Sequence, residues 1–207
     1  LDDASATFSI RMQRAPRAVA ADPDFDVFRL LYPEEIPATV NAVKGSSALA
    51  AVLAEDSPEP WAEIFRGLLM GLNHGGTPVW SESRFAAEDT AGVDVLFFGM
   101  PKREKGRNLL SQLGDAAVLS AGAFQVGADI SSRNADTLFA VFKRNQRLMA
   151  VFLPVAGTDV ETVVRTARKI THYGRYGQLS FKDGVNTGKG VGEVSGSPLV
   201  VDLGDNS

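Results

Sequence analysis

The chain contains no cysteine. That excludes disulfides, thiolate zinc sites, iron–sulfur clusters and thiol nucleophiles, and it leaves the compartment open. Histidine is scarce too: His74 and His172 are the only two, with no H-E-x-x-H pair and no acidic spacing of the calcium-loop type, so no metal site and no cofactor is expected. Basic charge does not dominate, since 21 Lys and Arg face 25 Asp and Glu for a net charge of −4. Nothing in that balance draws the chain to nucleic acid, which calls for a basic face. No apolar run approaches the ~18 residues of a membrane-spanning helix. The first residues, Leu1-Asp2-Asp3, include neither an initiator Met nor a basic leader, which points to a piece of a longer chain.

What is present is ordinary for a soluble globular protein: 207 residues, 44% hydrophobic and 22% charged. A chain of this length buries roughly 70% of its unfolded surface and needs no covalent or metal staple. Residues 7–12 (TFSIRM) alternate as a strand, and residues 17–21 continue extended. A helix is expected from Pro33, whose two following glutamates suit its positive end, to about Gly45. The apolar runs 48–54 (ALAAVLA) and 93–99 (VDVLFFG) read as buried strands. Between them Ser57 is placed to cap a helix with Pro58 in its first turn and Trp61, Ile64, Phe65, Leu68, Leu69 and Leu72 on one side. Residues 77–80 are a short extended piece, and a polar stretch runs through Thr90.

After 99, a loop through Gly106 leads to a short helix ending at Gly114, and strands are expected at 116–120 and 124–130. Residues 137–143 (TLFAVFK) and 148–155 (LMAVFLPV) are apolar on both faces, which places their hairpin in the middle of a sheet. A helix follows, with a capping box between Thr158 and Glu161 and an apolar face of Val160, Val163, Val164, Ala167 and Ile170. A strand at 178–181 and the Asp183-Gly184 turn close the pattern. The fold class is therefore α/β: a mixed sheet with a central hairpin and helices on both faces, preceded by short N-terminal strands. The boundary falls near residue 25, with 1–25 as N-terminal strands and 26–207 as the α/β domain.

Two groups of residues are candidates for a ligand or an interface. His172, Tyr173, Arg175 and Tyr176 sit where a helix hands over to a strand, either as a polar-aromatic contact patch or as packing with polar tips tied down. Glu55, Asp56 and Lys102 follow the two apolar strands, where α/β sheets bind ligands; carboxylates facing cations suit a zwitterionic or peptide-like group. The bland alternative there is a solvated pair of loops. Residues 184–190 (GVNTGKG) are not a phosphate-binding loop, because the spacing is one residue short and no Ser or Thr follows Lys189. No G-x-S-x-G elbow is present, so no residue is assigned as catalytic.

Three stretches, 22–37 (DPDFDVFRLLYPEEIP), 169–177 (KITHYGRYG) and 186–190 (NTGKG) leading to Ser197-Pro198-Leu199, resemble the C-terminal region of bacterial proteins related to aminopeptidase-N-like zinc metallopeptidases. The resemblance implies a non-catalytic accessory domain that docks to a preceding catalytic domain or binds peptide, in the periplasm or cell envelope, with the cytoplasm as the alternative. Residues 1 to about 21 would then be the tail of a β-rich domain. The zinc ligands of that family have no counterpart here, and Gly177-Gln178 departs from the Ser-Tyr expected after Tyr176. A small-molecule hydrolase using Glu55, Asp56 and Lys102, or an unrelated ligand-binding module, are the alternatives.

Overall fold

The computed structural model describes residue 7 and residues 9–24, 26–111, 135–144, 146–192 and 196–204, together with the backbone of 117–120 and 123–126. Eleven strands and five α-helices alternate among them. The chain enters through β1 (Ala18–Ala20) and a 3-10 turn (Pro33–Glu35), then α1 (Val40–Lys44), β2 (Leu49–Leu53), α2 (Pro60–Gly71), β3 (Val79–Ser81), α3 (Glu82–Ala87) and β4 (Asp94–Phe98). It continues through α4 (Glu104–Ser111), the hairpin of β5 (Ala117–Ser120) and β6 (Ala123–Val126), β7 (Thr137–Arg144), β8 (Arg147–Pro154) and α5 (Val160–Ile170). It closes on β9 (Gln178–Lys182), β10 (Val185–Gly190) and β11 (Val200–Asp202).

Seven strands form one mixed sheet in the order β10-β9-β7-β8-β4-β2-β3, with the β7–β8 hairpin at its centre as its two-faced apolarity requires. β3, β2, β4 and β8 are parallel, and β7, β9 and β10 alternate on the other side. Alternate side chains on each strand feed two cores. On one face Ala51, Leu96, Phe98, Phe139, Phe152 and Phe181 pack under α1, α2 and α5. On the other, Val52, Val95, Phe97, Leu138, Val151 and Leu153 pack under α3 and α4. The protein is thus a three-layer α/β domain. No helix among the described residues is long and apolar enough to cross a membrane.

Several local expectations give way. Residues 7 and 9–12 form no strand. The helix expected from Pro33 to Gly45 is split, because Pro37 forces Ile36 into extended backbone (φ −82°, ψ 118°) and ends the first turn. The helix after β2 starts at Pro60 instead of Pro58, and the Ser57 hydroxyl donates to the Ala54 carbonyl instead of capping it. Residues 82–87, which lie in the polar stretch to which no element was assigned, form α3. At α5 the cap is Asp159, whose carboxylate accepts from the Thr162 N–H at 2.9 Å, while Thr158 donates to the Asp136 carbonyl. Thr162 and Thr166 join its buried face, and Val160 is exposed. The expected extensions over 112–116 and 127–130 lie outside the described residues. Asp183 and Gly184 both adopt positive φ, 50° and 72°, as a two-residue hairpin demands.

Beyond the sheet, β1 pairs antiparallel with β11, joining the two ends of the described chain in a separate ribbon.

Candidate functional site

The two groups of candidate residues lie at opposite ends of the sheet. Glu55, Asp56 and Lys102 follow β2 and β4 at the carboxyl rim of the parallel strands. His172, Tyr173, Arg175 and Tyr176 connect α5 to β9 at the opposite rim.

The carboxyl rim holds a cleft of about 320 Å³. Its walls are the loops that leave β2, β4 and β8. These loops diverge: β2 and β8 feed α2 and α5 on one face, whereas β4, between them, feeds α4 on the other. Such a divergence opens a crevice beyond the strand ends, the usual ligand position in open α/β sheets. Each loop turns through one residue of positive φ: Asp56 at 58°, Gly99 at 95° and Gly157 at 90°. At Gly99 no side chain fits, since a Cβ would lie 2.9 Å from the Ala54 Cβ and 3.3 Å from the Trp61 ring. Trp61 lines the cleft, stacks on Phe98 at 5.1 Å and is only 8% exposed.

The charges at this rim fall into two sets. Glu55 is engaged: its carboxylate accepts from the Ser83 hydroxyl and from Arg103 Nε at 2.7 Å. The Ser83 bond, and then the Arg103 bond and charge, hold its carboxyl below the ordinary value. Asp56 and Lys102 both line the cleft, and neither side chain bonds or pairs with another described residue. The walls are braced from beneath by Glu82, a fully buried carboxylate. One oxygen accepts from the Lys102 and Arg103 N–H groups at 2.8 and 2.7 Å, and the other from the Glu55 N–H at 3.0 Å. No sequence signal marks Glu82 apart from its place just after a Ser cap.

At the opposite rim, the 172–177 connection is stitched to the start of α1. The Tyr176 and Gly174 carbonyls accept from the Val40 and Asn41 N–H groups at 2.9 and 2.8 Å. A Cβ at Gly177 would strike the Ala38 carbonyl, so only glycine allows this approach. Tyr173 packs edge-on against Phe181 at 6.0 Å. Arg175 donates to the Tyr176 hydroxyl at 2.8 Å and lies over its ring, with Lys189 over the ring as well. The Arg175 bond, with the two cationic charges, lowers the Tyr176 phenol. His172 sits in the turn, its N–H donating to the Lys169 carbonyl. His74 lies at the end of α2, its Nε2 2.8 Å from the Val43 carbonyl.

The same rim carries the segment of residues 22–24 and 26–36, whose largest apolar side chains point away from the protein. Three of its charged groups, Asp22, Arg29 and Glu35, are drawn inward, while Asp24 and Asp26 stay exposed. Arg29 grips the buried Glu35 with two bonds of 2.6 and 2.9 Å and reaches Asp22 at 2.9 Å. The Ser197 hydroxyl and the Tyr32 N–H also donate to Glu35, and Lys143 donates to the Pro33 and Ile36 carbonyls. Its apolar groups face outward: Phe28 is 108% and Leu30 94% exposed, and Val27, Tyr32 and Ile36 are exposed beside them. The described parts of the three stretches, 22–24 with 26–37, 169–177, and 186–192 with 196–199, thus meet at one end of the molecule.

Set beside known proteins, the chain matches no family model and no curated protein.

Proposed function

We propose that this chain is a non-catalytic accessory domain of a bacterial metallopeptidase-like protein, which docks to a catalytic neighbour through the outward apolar face of residues 27–36. One observation carries the reading: a segment fixed by a half-buried ion-pair network presents Phe28 and Leu30 to solvent. Fixing the backbone of such a segment costs roughly 1–2 kcal/mol per residue. Apolar side chains held outward recover nothing toward that cost until another surface covers them. The ribbon of β1 and β11 supports the same direction, because all six of its residues are exposed and a two-stranded ribbon is marginal alone. A periplasmic or envelope location follows from the resemblance alone.

The test has two arms. In the longer polypeptide encoded by the gene, Phe28→Glu with Leu30→Glu should release the domain, read as new proteolytic cleavage between it and its neighbour. An upstream reading frame without a zinc-peptidase region refutes the reading. So does turnover of aminoacyl or ester substrates by this chain that Glu55→Ala abolishes.

A further inference from the structure

The carboxyl-rim cleft is independent of that docking face and carries its own inference. We infer that it binds a small zwitterion of the amino-acid class, best fitted by a short peptide with both termini unblocked: the ligand ammonium meets Asp56, its carboxylate meets Lys102, and its apolar body lies against Trp61.

Three observations converge. First, the cleft lies where the helices that follow adjacent parallel strands part to opposite faces, and it is framed by three left-handed turns. Second, only some of the polar side chains around the cleft are engaged. Glu55, Arg103, Ser83 and Ser57 are engaged with protein partners. Asp56 and Lys102 come from two different loops, one anionic and one cationic, and are left without partners among the described residues. Both residues are exposed and form no ion pair with each other, so each is accessible to the opposite charge of a ligand. Third, most of the remaining lining is apolar, with Trp61, Ala54, Pro154 and Ala156 against the body of the ligand, while the Thr158 hydroxyl is engaged with the Asp136 carbonyl and the buried Trp61 Nε1 has no partner among the described residues. A volume of about 320 Å³ lies at the small end of the roughly 300–1,000 Å³ typical of ligand clefts. One charge of each sign in a mostly apolar cleft favours neither a simple anion nor a neutral solute.

Titration calorimetry on the whole chain tests this with four probes: alanylphenylalanine, its N-acetyl derivative, its C-terminal amide, and free phenylalanine. The unblocked dipeptide should bind, and blocking either terminus should weaken it about tenfold or more. Free phenylalanine separates the two sources of zwitterion: equal binding assigns a single amino acid, weaker binding a peptide, and both support the inference. Lys102→Met should remove the penalty for amidation while keeping the penalty for acetylation. Asp56→Asn, which preserves the left-handed turn, should do the reverse. Amide shifts of Gly99 and Gly157 on titration locate the ligand and show that each variant is folded. Equal binding of blocked and unblocked peptides overturns the inference, as does no saturable binding at about 10 mM, or variants that bind like the parent chain.

Discussion

Glu82 offers the sharpest test of how the carboxyl rim is held. Its carboxylate is the shared acceptor for three N–H groups, one from the loop after β2 and two from the loop after β4. Glu82→Ala removes that acceptor and leaves three donors facing one another around a small void. An orphaned buried donor costs about 1–3 kcal/mol. Lys102 and Arg103 have exposed side chains, so water can reach part of this site and the low end applies. The expected loss is about 3 kcal/mol, which for a domain of this size lowers the melting temperature by roughly 6–12 °C. Glu82→Gln keeps one acceptor and turns an NH2 toward the remaining donors, for a loss of about 1.5 kcal/mol. Urea unfolding measures the loss, and hydrogen exchange shows where it falls, with the Glu55, Lys102 and Arg103 amides accelerating well before those of β7. A loss under about 1 kcal/mol for Glu82→Ala, within the range of an ordinary surface substitution, refutes the brace.

Other consequences are testable on the isolated chain. The Arg29 bonds lower the Glu35 carboxyl from its ordinary 4.5 to about 2. Its contribution is then complete above about 4.5 and disappears as pH falls toward 2, so the urea midpoint should decline through that window, and Glu35→Gln should flatten this limb. Gly99→Ala should cost about 2–3 kcal/mol, strain plus collision with Ala54, whereas Gly157→Ala, at similar φ but with open space around it, should cost about 1 kcal/mol by strain alone. Comparable losses for the two would show that close packing at Gly99 contributes nothing. Phe28→Glu with Leu30→Glu should leave the melting temperature of the isolated chain within about 2 °C of the parent. A larger drop would mean that these side chains already pack within the chain.

The parts of the fold written in local pattern were legible. Continuous apolar runs located β2, β4, β7 and β8, and their two-faced character placed the β7–β8 hairpin at the sheet centre. The helix period of Trp61, Phe65, Leu68, Leu69 and Leu72 marked α2. What escaped depends on partners distant in sequence or on competition between neighbours. In α3 only Phe85 and the buried Glu82 reach the core, so its six residues carry no readable period. β10 is VNTGKG, poor in strand formers, and its pairing is imposed by β9 through the Asp183-Gly184 turn. The cap expected at Thr158 is made by Asp159, because Thr158 is drawn to the Asp136 carbonyl, and that contact is invisible in sequence. At the candidate sites, Glu55, Asp56 and Lys102 could be grouped because their strands could be recognised. Their division into engaged and unpaired charges depended on Ser83 and Arg103, which only the folded chain brings together. The inward turn of Arg29 and Glu35 is non-local in the same sense, because Ser197 completes it from the far end of the chain.

The placement of the cleft follows from an uncommon feature of the chain path. The connection β2–α2–β3 moves outward across the sheet on one face, and β3–α3–β4 moves back on the other, so these two share one hand. β8–α5–β9 moves in the direction of the second but lies on the face of the first, so its hand is opposite to both. About 98% of parallel crossovers are right-handed, so at least one of these three is of the rare kind. The consequence is direct. Had α5 followed the hand of the others, it would lie beside α4, and the loops after β4 and β8 would leave toward the same face. With α5 beside α2, the exit of β4 is flanked on both sides by exits to the opposite face, and the rim opens above Phe98 and Gly99. The unusual crossover and the cleft are therefore one feature of the fold: the connection that carries the chain from β8 to α5 on the face of α2, through Ala156, Gly157 and Thr158, is itself one wall of the cleft.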